Sequence, residues 1–168
     1  YSLSGGLLRH NWDIAVREEG CETELYGIML ASSKEHMDHH TFVDHIAPNC
    51  ESSEDFKGVF SEKSTGVFNG KVRVRKDAQK INAFQSNQNI LLSDDAVINS
   101  KPELEIYADD VKCSHGSTTG QLDDEALFYL RSRGIPAKEA RKMLVNAFLS
   151  HVLKKVDNQS VADFVYNR

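Results

Sequence analysis

The 168-residue sequence lacks several features that define common protein classes. Its three cysteines, Cys21, Cys50 and Cys113, are far apart and odd in number, so neither a disulfide framework nor a Cys-x-x-Cys zinc site is predicted. Reduced thiols in a cytosolic or organellar compartment are the simplest interpretation. No apolar run approaches the roughly 20 residues that a membrane span requires. An initiator Met is also absent, and we expect the sequence to be a piece of a longer protein.

A concentrated basic region is missing as well. The formal net charge is −5, and lysine and arginine are spread along the chain. Only Val72–Lys76 alternates basic and apolar residues, a pattern more typical of the solvated face of a strand. Nucleic acid is therefore not an expected partner, since phosphate binding requires clustered positive charge. Because Gly-Lys-Ser and Gly-Lys-Thr are absent, we expect no ATP binding by this chain alone.

Short runs with strand character dominate the first 120 residues. They are Leu25–Leu30, Thr41–Ile46, Gly58–Phe60, Val67–Val74, Ile90–Leu92 and Glu103–Ala108. Turns are predicted between runs at Asn69-Gly70, Ser93–Asp95 and Asn99-Ser100. Very short strands with frequent polar turns are typical of a parallel β-helix, which at a repeat of roughly 20 residues would have about five or six coils. Periodicity alone leaves a β-sandwich as an open alternative.

The residues after 120 have helical patterns instead. Acidic Asp123, Asp124 and Glu125 favour a helix start there, and Gly134 favours its end. A longer helix is predicted after Pro136, with two apolar stripes. The first stripe is Ala140, Leu144, Ala147 and Phe148, and the second is Val145, Leu149, Val152 and Val156. We expect one stripe to pack on the β-structure and the other to contact another helix or another protein. Ser160–Asp163 resembles a capping box for a last short helix.

The residues most able to carry chemistry are Cys113 and His115. On an extended strand they point to the same face, which is also the face of Val111 and therefore the predicted inner one. A thiolate and an imidazole can share zinc or iron, but two ligands do not complete a metal site. From residue types alone, a buried inert cysteine beside a hydrogen-bonded histidine is the simpler interpretation.

Two other clusters could act in a different class of protein. His36, His39, His40 and His45 could bind a divalent metal, but a solvated surface turn is the favoured interpretation of this segment. Asp109-Asp110 resembles the carboxylate pair of a β-helix enzyme acting on polysaccharides. Adjacent strand residues face opposite ways, however, so these two are expected to cap a turn rather than flank one bond.

Several long motifs resemble the SufB/SufD family of iron–sulfur cluster assembly proteins. They are Val67–Val72, Asp77–Lys80, Gln85–Asn87, Leu91–Asp94, Lys101–Gly116, Gly120–Asp123 and Phe128–Ile135. The resemblance covers most of the chain from about His40 onward. Val67–Lys71 and the Cys-Ser-His-Gly run at Cys113 are more similar to the SufD branch, in its C-terminal part.

The resemblance implies a mainly β fold, a right-handed parallel β-helix followed by a small α-helical C-terminal domain. Residues 1–120 would be the β-helix core, truncated at its N-terminal side, and residues 121–168 the helical domain. The implied function is that of a scaffold subunit rather than an enzyme. In a cytoplasmic complex it would pair with a SufB-like subunit through the β-helix. A SufC-like ATPase would dock on the helical domain.

The resemblance also implies roles for particular residues. Cys113 and His115 fall where the family places residues implicated in building the nascent cluster, and both become candidate iron ligands. Part of the second apolar stripe, Val145, Leu149, Val152 and Val156, would serve the ATPase dock. No cluster is expected to bind stably to this chain alone, because a cluster usually takes four protein ligands. The isolated chain is expected to self-associate through unpaired strand edges. A β-helix carbohydrate-active enzyme and a zinc-binding module using the histidines are the alternatives.

Overall fold

The computed structural model describes residues 2–3, 5–155 and 159–167, excepting the side chains of 159–161 and 167. Within these ranges eight β-strands of ten or eleven residues precede three helices. The strands are β1 Leu7–Val16, β2 Glu22–Ala31, β3 His36–His45, β4 Glu51–Phe60, β5 Thr65–Val74, β6 Ile81–Leu91, β7 Val97–Ile106 and β8 Val111–Gly120. The helices are α1 Asp124–Ser132, α2 Ala137–Leu153 and α3 Gln159–Asn167.

The strands form two parallel sheets that together make a β-helix. One sheet has the order β1-β3-β5-β7 and the other β2-β4-β6-β8, so each coil of the chain contributes one strand to each sheet. The register advances 29 residues from Leu7 to His36 and 32 from Thr65 to Val97. The predicted parallel β-helix is therefore confirmed, and the sandwich is excluded. The expected 20-residue repeat with five or six coils is wrong, because each coil takes about 30 residues and the described chain forms four.

Strand length was underestimated because polar residues face the interior. Ser52 and Glu54 of β4 are buried, although their polarity is typical of a turn. Two predicted turns, Asn69-Gly70 and Asn99-Ser100, lie inside β5 and β7. The turn at Ser93–Asp95 is confirmed between β6 and β7. A β-helix tolerates inward polar groups because side chains on successive coils hydrogen-bond to one another.

Histidines occur in this interior, where burial lowers their pKa and so disfavours the charged form. His39 is 1 % exposed, and its Nε2 lies 2.6 Å from the hydroxyl of Ser2. The rings of Trp12 and Phe56 contact its imidazole edge to face. Burial, together with the nearby His10 and His40, lowers the pKa of His39 from 6.5 to about 3. His45 is also buried, and its pKa is lowered for the same main reason.

The buried His39 predicts a specific loss of stability in acid. An unfolded chain protonates this imidazole below about pH 6.5, whereas the folded chain does not until about pH 3. Its contribution is therefore complete above pH 6.5 and is lost as the pH falls, by about 1.4 kcal/mol per pH unit. In urea unfolding across this range, His39→Gln should flatten the pH dependence. His36→Gln, at the start of the same strand, should not, and parallel profiles for the two variants would contradict the prediction.

The helices follow the predicted boundaries closely. The carboxylate of Asp123 caps α1 by accepting hydrogen bonds from the backbone amides of Glu125 and Ala126. Gly134 takes a φ of +87° just after the helix, as a helix-ending glycine does. α2 and α3 lie on the outer face of the sheet containing β2 and β4. No helix within the described ranges is long and apolar enough to cross a membrane.

The second apolar stripe of α2 belongs to this packing. Leu149 and Val152 are buried against Ile28 and Val59 of the β-helix and Val165 of α3, and Val145 is half-buried beside them. The chain itself thus covers Leu149 and Val152, so these two side chains are not available to a partner as expected, and the expectation for the rest of the stripe stays a prediction. Val156, the fourth residue of the stripe, lies outside the described residues.

Candidate functional site

The Cys113–His115 pair lies on the last coil of the β-helix. Its strand, β8, is at the edge of its sheet and pairs only with β6 within the described chain. Cys113 and Val111 pack against the same interior cluster, which confirms that this face of β8 is the inner one. Cys113 is half-buried, whereas His115 is exposed. The pair therefore lies at the open end of the interior and not deep within it.

The surroundings of Cys113 disfavour a free thiolate. Burial raises the pKa of the thiol, and a backbone hydrogen bond from Ala83 opposes the rise only in part. A metal ion would reverse this preference, because coordination displaces the thiol proton. Without a metal ion, the raised pKa therefore favours the protonated, less reactive thiol of Cys113. Cys50, by contrast, is buried and donates its thiol proton to the carbonyl oxygens of Glu18 or Pro48.

The other sequence candidates do not gather into a site. The segment His36–His40 is part of β3 and not a solvated turn, so that expectation is wrong. His39 and His45 face the interior, while His40 pairs with Asp38 on the outer face at 2.8 Å. Among the described residues no group of three or more His, Cys, Asp or Glu side chains could hold a metal ion. The arrangement does not support a zinc module.

The basic and acidic strand residues form ion pairs on the outer face of the β1-β3-β5-β7 sheet. Arg73 and Lys71 both contact Glu105, and Arg75 contacts Asp44 at 2.8 Å. The interpretation of the basic stretch as a strand face is confirmed. Asp109-Asp110 occupies the bend between β7 and β8, as predicted. On the outer face, the carboxylates of Glu105 and Asp44 are already paired with basic side chains, which disfavours their use in glycoside cleavage.

Sequence reasoning missed a set of polar side chains inside the β-helix. The interior polar row consists of Thr41, Glu54 and Gln85, all at most 4 % exposed. The hydroxyl of Thr41 donates to Glu54 Oε2 at 2.5 Å, and Gln85 Nε2 donates to Glu54 Oε1 at 3.1 Å. Burial raises the pKa of Glu54, against the effect of these two hydrogen bonds. Alternation gave no signal for this row, because β4 and β6 contain runs of consecutive polar residues, Glu51–Asp55 and Gln85–Asn89.

Comparison with known proteins agrees with this fold. A family model described as "SUF system FeS cluster assembly, SufBD core domain" matches residues 1–148. The iron-sulfur cluster assembly protein SufD of Escherichia coli is 36% identical over 168 residues, covering 100% of this chain and 40% of that protein. The SufBD family protein slr0076 of Synechocystis is 39% identical over 155 residues, covering 92% and 34% respectively. Protein ABCI7, chloroplastic, of Arabidopsis thaliana is 37% identical over 167 residues, covering 99% and 35%.

The two parallel sheets define a parallel β-helix protein, with a thiol–imidazole pair on its last described coil. The chain belongs to the SufBD family of the SUF system for iron–sulfur cluster assembly, and it is most similar to SufD. It spans about two fifths or less of the length of these three relatives.

Proposed function

We propose that this chain is part of a non-catalytic scaffold subunit in iron–sulfur cluster assembly. The observation that carries the proposal is the Cys113–His115 pair on the inner face of an uncovered last coil. Iron and sulfide are the substrates, and His115 offers a neutral imidazole while Cys113 offers a thiolate. Two side chains cannot enclose a cluster, so the remaining ligands come from a partner placed against this end.

The partner in this proposal is a SufB-like subunit that meets the last coil. Strands β7 and β8 are the outermost strands of their sheets, so each presents unpaired backbone amides and carbonyls. Exposed apolar side chains flank them, with Val97 45 %, Ile106 41 % and Tyr107 62 % exposed. A second β-helix end would satisfy these groups and bring its own ligands beside Cys113. The family membership supports this assembly.

An ATPase of the SufC kind would dock on the helices of this chain. Apolar side chains remain exposed there at Phe128, Tyr129 and Met143, the first of them 73 % exposed. They lie on α1 and α2, which pack against each other. ATP hydrolysis belongs to that partner, and its consequence would be a rearrangement of the paired β-helices that exposes the assembly site. The complex operates in the cytoplasm in this proposal.

Charge placed on the last coil should disrupt the pairing. Ile106→Asp puts a carboxylate where a second β-helix would contact β7, and burying an unpaired charge is costly. We expect at least a tenfold lower yield of co-purified SufB-like subunit from cells that produce both proteins. Phe84→Asp is the matched control, because Phe84 is 51 % exposed but lies on β6 away from the end.

Equal recovery of the partner with Ile106→Asp and with the wild-type chain would show that the subunits pair elsewhere. Circular dichroism of both variants distinguishes a folding defect from the loss of an interface. The cluster-building part of the proposal is tested separately, by the iron and sulfide content of the reconstituted complex.

A further inference from the structure

Gln85 is the member of the interior polar row closest to the candidate site. Its strand β6 lies between β4 and β8, and Gln85 is in register with Glu54 on one side and His115 on the other. Register partners on parallel strands are about 4.8 Å apart and point to the same face. The three side chains therefore follow one another along the inner face, from the interior to the open end.

The orientation of the Gln85 amide is fixed by its neighbours. Its nitrogen donates to Glu54 Oε1 at 3.1 Å, and Glu54 is held from its other side by Thr41. The side chain fills the space that Gly70 leaves free on the facing strand, where an added Cβ would collide with the Gln85 amide nitrogen. The nitrogen is therefore engaged by Glu54, and the amide oxygen is the end of the side chain left for another donor.

The amide oxygen of Gln85 is the atom of the interior polar row that lacks a partner in the described part of the chain. Gln85 is 4 % exposed, yet its Oε1 has no hydrogen-bond partner among the described residues. A buried carbonyl oxygen without a donor costs about 1–3 kcal/mol, so such groups usually have a function or an unseen partner. His115 is the register neighbour that carries a ring N–H. Metal-binding histidines nearly always donate their second ring N–H to a carbonyl or carboxylate oxygen.

We propose that Gln85 is a positioning residue for His115: its buried amide oxygen accepts the inward ring N–H and leaves the outward nitrogen unprotonated and free for iron. Glu54 and Thr41 support this by holding the amide in the required orientation. The proposal rests on the proposed function, since it assigns the support of the same iron ligand. It also gives a function to the buried carboxylate of Glu54 and the buried amide of Gln85.

The direct test is the tautomer of the His115 ring in the apo chain. Long-range ¹⁵N–¹H NMR spectra, recorded at a pH where the imidazole is neutral, distinguish the two tautomers, and His115→Ala assigns the signal. One hydrogen bond should favour one tautomer by about fivefold over its preference in free imidazole. Gln85→Met, of similar length but without an acceptor, should remove this preference.

The matched control is Asn87→Leu. Asn87 is buried on the same face of the same strand, but its amide oxygen accepts from Ser100 and its nitrogen donates to the carbonyl of Phe56. This variant removes a buried amide without touching the interior polar row, and the His115 tautomer should be unchanged. If the role of Gln85 were purely structural, Gln85→Met and Asn87→Leu would have the same effect on the His115 tautomer.

Exchange of the two inner residues provides a rescue. In Glu54→Gln/Gln85→Glu, Thr41 still donates to position 54, the amide at 54 donates to the carboxylate at 85, and the second carboxylate oxygen faces His115. The tautomer preference should return. A wild-type tautomer ratio equal to that of free imidazole, or one that Gln85→Met leaves unchanged, would overturn the proposal even if a variant folded poorly.

The reconstituted complex gives the second readout. Gln85→Met should lower bound iron and sulfide by about tenfold, as loss of a supporting hydrogen bond to a metal ligand typically does. Full cluster content with Gln85→Met, alongside a loss with His115→Ala, would overturn the positioning role only. Full content with His115→Ala would refute the proposed function, and the NMR result would still decide whether Gln85 contacts the ring.

Discussion

Replacing His115 by alanine is expected to lower the iron and sulfide content of the reconstituted complex by tenfold or more. The imidazole is exposed on the inner face of the last coil, beside the half-buried thiol of Cys113. Removal of a metal ligand costs at least as much as the 10–100-fold loss typical of its supporting residues. Absorbance and iron analysis after anaerobic purification give the cluster content, and size-exclusion chromatography reports whether the subunits remain assembled.

Ser114→Ala is the control for this experiment. Ser114 lies between the two candidate ligands on β8 but faces the opposite side of the sheet, so its hydroxyl should not affect the cluster. If the complex with His115→Ala assembles and carries its full iron, the Cys113–His115 pair is structural. The chain would then contribute only architecture and docking surfaces.

The largest effect on stability is expected from Leu149→Ala in α2. Leu149 is 1 % exposed and packs with Ile28 and Val59, so truncation leaves a cavity between the helix and the β-helix. Leu→Ala changes at such positions cost about 2–5 kcal/mol. Urea unfolding followed by far-UV circular dichroism should show this loss. An unchanged midpoint would mean that the helix is not held by this contact.

Phe128→Ala is the informative counterpart, because Phe128 is 73 % exposed on α1. Truncation of an exposed side chain usually changes stability by no more than 0.5 kcal/mol. The same change should weaken co-purification of the ATPase subunit if the exposed apolar residues form its dock. The two variants thus separate the face of the helices that maintains the fold from the face available to a partner.

The helices were predictable because their signals are local. Asp123 supplies the cap of α1 and Gly134 follows its end, both within a few residues of the boundary. The assignment of the stripes on α2 was not predictable in the same way. Two apolar faces were visible in the sequence, but which one the β-helix covers depends on contacts such as Leu149 with Ile28, which are far apart in the chain.

The β-helix fold was predictable from the sequence, but the length and the number of its coils were not. Inward Ser52 and Glu54 interrupt the apolar pattern of β4, and a polar residue at a strand position is usually a sign of a turn. Cys113 and His115 could be placed on one face because alternation within a strand is local. Gln85 and Glu54 could not be brought together, since 31 residues separate them and only the register between coils makes them neighbours.

The unpaired last coil has a consequence for how much of this protein a cell should contain. An uncovered edge of a β-helix accepts any strand that offers free amides and carbonyls, including a misfolded one or a second copy. If a partner covers this edge as proposed, chains made in excess of that partner would leave the edge open and be prone to aggregate. If the proposed SufB-like subunit covers this edge, balanced synthesis of the two chains would protect solubility as well as supply the correct stoichiometry.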